Sequence, residues 1–247
     1  MRYVLLPLLV VSTILISALT FDYFNKLILV ADISGFGVFL NFLGVIYAII
    51  SAFVIFEAGG RFNGINEELS KEFIALRNVF SMVKLFKEKR LIQFSKEKIK
   101  DYALLLKEKL YVNGPKTKEE VSHKFRALFL ILDKIKPKGE MKKILAGHIV
   151  DAIRSSANSR SKRLGLIESD ISKLELFLVI FLSLALLFGF FLTRLSNIYL
   201  FTVLMGVVSM AVSFIMLIIF DLNMPFKGFW TISSEPIDHT LEFLEEK

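Results

Sequence analysis

The residues able to do chemistry are few and scattered. His123, His148 and His239 show no HExxH or paired-ligand spacing. His148 and Asp151 stand three apart on a helical stretch, where a surface pair accounts for them. Glu119 and Glu120 open a helix, and capping and the helix dipole account for those. The chain has no cysteine, which removes disulfides, thiolate chemistry and Fe–S clusters. It also has no Walker A or GxGxxG loop, so no catalytic residue, metal or cofactor is expected and an enzyme is disfavoured. The informative polar residues lie elsewhere, inside the apolar run NFLGVIYAIISAFVIF, which ends at Glu57. At 100° per residue, Gly37, Asn41, Gly44, Ala48 and the pair Ser51 and Ala52 fall on one face, with Phe39, Phe42, Ile46, Ile50, Phe53 and Glu57 on the other. A small, weakly polar stripe in a membrane helix packs against a neighbouring helix or lines a wetted pore. Asn41 separates the two, since an amide in lipid needs a partner or water. Glu57 reads either as one member of a charged ring at a pore mouth, or as an interfacial anchor or a salt-bridge partner of Arg61.

The elements that position these residues follow from hydropathy. Tyr3 to Thr20 is an apolar block of about the length that crosses ~30 Å of hydrocarbon. A retained helix is expected there over a signal peptide, because SALTFDYF makes a poor cleavage site. Phe21 to Gly35 is a short, nearly neutral loop, and Gly35 to Phe56 is a second span. That span runs through AGGRFNG, with no proline, into an amphipathic helix marked by Ile65, Leu69, Phe73, Leu76, Phe80 and Val83. The helical run continues through a charged stretch bearing Leu91, Phe94, Ile99 and Leu104, and Asn113-Gly114-Pro115 ends it. Thr117 to Glu120 reads as a capping box opening the next helix. Lys136 to Gly139 is a further break before a helix from about Met141 to Ser169. Leu174 to Leu192 and Ile198 to Phe220 are third and fourth spans around a tight turn, Arg194 to Asn197. No run alternates with period two, so no sheet is expected.

Charge sets the orientation. Residues 58–172 hold 25 Lys and Arg against 14 Asp and Glu, a net of +11, while the whole chain is +7. A basic segment between spans stays on the cytoplasmic side. It points to anionic lipid as a partner before nucleic acid, for which no motif exists. Arg154, Arg160, Lys162 and Arg163 cluster before the third span. They read as lipid-headgroup contacts at ~1 kcal/mol per charge near the surface, or as plain topological signals.

Three segments taken together carry a family resemblance. They are NFLGVIYAIISAFVIFEAGGRFNGINEELSKEFIALRNVF, the RSKRLGLIESDISKLELFLVIFLSLALLF junction, and IIFDLNMPFKGFWTISSEPID with Asp221, Pro225-Phe226, Gly228 and Pro236. The chain resembles the bestrophin-like proteins, a family without assigned function distantly related to bestrophin chloride channels. Members often carry an acidic residue nearer the Pro-Phe, where this chain has Asn223. The resemblance implies a homo-oligomer with four membrane helices per subunit and helical cytoplasmic domains. It also implies a pore lined by the second helix, here residues 36–57. An apolar neck would use Phe42, Ile46 and Phe53; a wetted one would use Asn41, Gly44, Ala48 and Ser51. The acidic calcium clasp of bestrophins is matched only loosely by Asp221 and Glu235, so no calcium site is expected.

The expectation is an all-α inner-membrane protein with four transmembrane helices in two hairpins. Residues 1–57 and 173–220 form the hairpins, 58–172 a basic helical cytoplasmic domain and 221–247 a tail, with both termini cytoplasmic. Its function is an oligomeric ion channel, anions slightly favoured. The alternative is a membrane-anchored scaffold whose helical domain recruits a partner.

Overall fold

The chain's computed structural model describes residues 33–109, 115–137, 139–192, 198–226 and 228–246. The first apolar block, most of the loop after it, the Asn113-Gly114 break and the turn at 193–197 lie outside the described residues. Those described form α1 (Ile33–Leu85), α2 (Lys89–Lys109), α3 (Pro115–Arg126), a 3-10 turn (Ala127–Phe129), α4 (Leu130–Lys134), α5 (Glu140–Glu168), α6 (Lys173–Leu192), α7 (Ile198–Leu222) and α8 (Glu235–Glu245). No strand occurs among them. Three of these helices are long and apolar enough to cross a membrane: α1, α6 and α7.

The described chain divides into two compact units. An apolar unit takes residues up to Gly60 and Ile171–Met224; a basic unit takes Arg61–Asp170 and Pro225–Lys247. α1 runs unbroken from one to the other. Gly59 and Gly60 stay helical within it, and a methyl group at either would meet nothing within 4 Å.

In the basic unit the amphipathic half of α1 is the centre of the core. Ile65, Leu69, Phe73, Leu76, Phe80 and Val83 are all buried, as their three- and four-residue spacing requires. Burial contributes roughly 1.5–3 kcal/mol for each such side chain. Tyr102 stacks on Phe73 at 6.0 Å and meets Phe125 edge-on at 5.3 Å. Gly64 lets α5 approach closely, since a Cβ there would stand 3.0 Å from Leu166 Cδ1.

Three local expectations are corrected. α1 ends at Leu85, and Phe86 and Lys87 close a turn onto the Val83 and Lys84 carbonyls, both at 3.1 Å. Lys87 takes φ +58°, the left-handed conformation usual just past a helix end, although it is not glycine. α3 begins at Pro115, which places Thr117 inside the helix and not at its cap. Proline suits a first helical position because its missing N–H has no partner to lose. On α2, Leu91 and Ile99 are buried, but Leu104 is exposed. Gly139 precedes α5 at φ +90°, a conformation that favours glycine.

The end of the chain completes the same core. Ile237 and Leu244 of α8 are buried in it, and Phe243 meets Phe80 edge-on at 6.3 Å with Lys84 over both rings. Ion pairs tie α8 to α2: Lys96 and Lys100 with Glu245 at 3.0 and 2.7 Å, and Lys107 with Asp238 at 2.5 Å. Lys107 holds the Asp238 carboxyl below its usual value, and Lys100 and Lys96 do the same for Glu245. Depressed carboxylates contribute stability above their unfolded values, and that contribution is lost as pH falls through the folded ones. Acidification below the ordinary values of 3.8 and 4.5 is therefore expected to loosen α8 before the rest of the unit. Hydrogen exchange at pH 6 and pH 3.5 checks this; equal protection of residues 235–245 relative to α2 at both would refute it.

Candidate functional site

The candidate pore helix is the apolar half of α1, and the structure separates its faces. Leu40, Tyr47, Ser51, Val54 and Ala58 are buried, recurring at four and seven residues along one side. That side packs against α6. Gly44 stands opposite Leu186, where a Cβ would lie 3.9 Å from Leu186 Cδ1, and a methyl at Gly189 would overlap the Leu40 side chain. The face of small residues expected from the wheel is thereby split. Gly44 and Ser51 belong to the packed side, while Asn41 and Ala48 are exposed on the single chain. Leu40 precedes Asn41 by one residue, 100° round the helix, so a broad small stripe straddles the edge of the contact.

The open side carries both kinds of neck candidate. Phe42 and Phe53 are 63% and 59% exposed, with Val45, Ile49 and Phe56 between and below them. Ile46 is half-buried beside them, and Glu57 is exposed at the end of the run. Arg61, four residues on, donates to the Ser169 carbonyl and pairs with Asp170 at 3.5 Å.

The expected headgroup cluster divides as well. Arg154 is exposed and lies 3.7 Å from Asp151, and Lys162 is exposed. Arg160 donates to Ser122 Oγ at 2.9 Å and covers the Phe125 ring at 4.7 Å. Arg163 is a correction: it is buried and cannot meet a lipid headgroup. Its guanidinium pairs with the fully buried Glu72 at 2.9 Å, and the Tyr102 hydroxyl donates to the other Glu72 oxygen. Burial opposes the arginine charge, but the adjoining Glu72 carboxylate more than offsets this and holds its pKa above the ordinary value. Burial, then the Glu72 charge, pushes the Tyr102 phenol up, which keeps it a neutral donor. Sequence reasoning missed this network, although Glu72 lies on the buried stripe of α1 seven residues after Ile65.

At the end of α7, Asn223 accepts a hydrogen bond from the Ile171 N–H at 3.4 Å. In the following loop the Ile232 N–H bonds the Pro225 carbonyl at 3.0 Å, and Gly228 takes φ +152°. Glu235 lies 3.3 Å from His239 on α8. Among the described residues, no three acidic or histidine side chains gather as metal ligands.

The Bestrophin-like domain model matches residues 10–237, nearly the whole chain. The chain belongs to the Bestrophin-like family. It is similar in fold to crystal structures of point variants of a bacterial bestrophin homologue from Klebsiella pneumoniae. One has a TM-score of 0.77 at 14% identity, covering 99% of this chain and 98% of the other. A second has a TM-score of 0.75 at 12% identity and covers both chains completely. A crystal structure described as a membrane protein matches with a TM-score of 0.73 at 12% identity, over 96% of this chain and 95% of the other. No curated protein matches. This Bestrophin-like chain thus has a bestrophin fold with little sequence in common, and its side-chain chemistry is read from its own residues.

Proposed function

We propose that the chain forms a homo-oligomeric ion channel in the cell inner membrane, with the apolar half of α1 lining the pore. The observation that carries this reading is the open side of α1. A membrane helix that packs one side on α6 and leaves an amide, Asn41, on the other requires a partner or water there. Copies of the same chain arranged round an axis supply that environment, with Ala48 and Asn41 wetted and Phe42 and Phe53 forming apolar constrictions. The bestrophin resemblance points the same way, and channel work needs no catalytic residue. In this reading four spans form two outward hairpins, residues 58–172 and both termini are cytoplasmic, and exposed Arg154 and Lys162 meet anionic headgroups. The net charge of +11 over residues 58–172 concentrates anions at the inner mouth, while a Glu57 ring opposes them, so anions are slightly favoured.

Reconstitution of the full chain in liposomes tests the proposal. Wild type is expected to pass ions, Asn41→Leu or Glu57→Gln to shift selectivity, and Ala48→Trp to abolish flux while the oligomer still assembles. Silent vesicles containing an assembled wild-type oligomer would favour the scaffold, a membrane anchor whose helical unit recruits a partner. Ala48→Trp that only prevents assembly would show that side of α1 to be a packing surface.

A further inference from the structure

The packed side of α1 holds a feature that the pore reading does not use. Three helices of the apolar unit turn a hydroxyl inward. α1 buries Tyr47 and Ser51, α6 buries Ser183 among Val179, Leu182 and Leu186, and α7 buries Ser209 among Phe201, Met205 and Val212. All four are at least nine-tenths buried.

Tyr47, Ser183 and Ser209 also stand at one level. Leu40 meets Gly189 and Gly44 faces Leu186, so α1 and α6 run in opposite directions, and three residues further along α1 Tyr47 is level with Ser183. Phe191 near the end of α6 touches Phe201 near the start of α7 at 6.3 Å. Eight residues beyond Phe201, Ser209 reaches that same level. Ser51 lies one turn from Tyr47 along the same side, about 5.4 Å in depth. Ser183 is midway along α6.

A serine in an apolar helix ordinarily returns its hydroxyl to the carbonyl one turn back. Ser183 does so, bonding the Val179 carbonyl at 2.7 Å. Ser51 and Ser209 do not, and the Tyr47 hydroxyl, too far from its own backbone to do the same, also has no partner. Three unpartnered hydroxyls, those of Tyr47 and Ser209 at one level and that of Ser51 one turn away, supply hydrogen-bond donors within the packed helices.

We propose that this layer is a binding site, within each copy of the chain and away from the open side of α1, for a small acceptor held by hydroxyl donors. A halide and a water molecule share that chemistry. The site does not depend on conduction, so it stands or falls separately from the channel.

Crystals of the full chain grown in bromide and in gluconate test it. Density within hydrogen-bond reach of Tyr47 Oη, Ser51 Oγ or Ser209 Oγ is expected. An anomalous bromide signal there, with a bromide-dependent rise in Tm that Tyr47→Phe abolishes, identifies a halide. The same density in both media, without anomalous signal and lost in Tyr47→Phe with Ser209→Ala, identifies water. No density in either medium, together with a higher Tm for Tyr47→Phe than for wild type, overturns the proposal, because an empty layer gains by losing an unsatisfied hydroxyl.

Discussion

Replacing Arg163 with leucine is expected to destabilise the basic unit by about 3–5 kcal/mol, the range for breaking one side of a buried ion pair. The magnitude comes from what is left behind. Glu72 is fully buried, and without the guanidinium its carboxylate keeps only the Tyr102 hydroxyl. It must remain as an uncompensated charge or take up a proton. Glu72→Leu is expected to cost a similar amount, because it strands the arginine. Glu72→Leu with Arg163→Met and Tyr102→Phe is expected to recover most of the loss, since a buried ionic network and an apolar replacement of like volume are often close in free energy. Denaturant unfolding of wild type, the two single variants and the triple variant in the full chain is the measurement. Additive losses in the triple variant would show that the three side chains act independently.

The second large effect belongs to the apolar unit. Gly189→Ala places a methyl on the Leu40 side chain, and forcing a group into a packed contact costs about 1–3 kcal/mol. Leu40 is only 7% exposed, so it has little free space into which to rotate. Gly189→Leu is expected to prevent α1 from seating on α6, and to lower the yield of folded protein in detergent. Leu40→Ala with Gly189→Ala should restore much of the stability of the single glycine variant. If that double variant is no better than Gly189→Ala alone, Leu40 is not the obstruction.

Periodicity made most elements legible. α5 was expected at about 141–169 and runs Glu140–Glu168; the apolar helices α6 and α7 fall within two residues of the ends expected for them. What could not be read were features without a local marker. The turn after Leu85 uses Lys87 in a left-handed conformation, and neither glycine nor proline stands there to announce it. Arg163 counted as one more cation in a basic run, because its partner lies 91 residues away. Two stripes held the signal jointly. Glu72 interrupts an apolar face of α1, and on α5 the buried positions pass from Ile149 and Ile153 through Ser156 to Arg163. An acid and a base on two buried faces call for each other. In the candidate site, the wheel identified the helix and its polar residues, but not the angle at which α6 divides them. That angle depends on Leu186 and Gly189, which belong to a distant segment.

The docking of α8 also dictates an order of events during biosynthesis. The basic unit's core takes Ile237 and Leu244 from beyond the last apolar helix, so it cannot close when residues 61–170 leave the ribosome. Residues 171–224 are made in between, which takes roughly 3–10 seconds at ordinary translation rates. Through that interval the surface that α8 will cover, around Phe80 and α2, is exposed to other proteins. That surface is therefore expected to become buried only after residues 235–245 have been made.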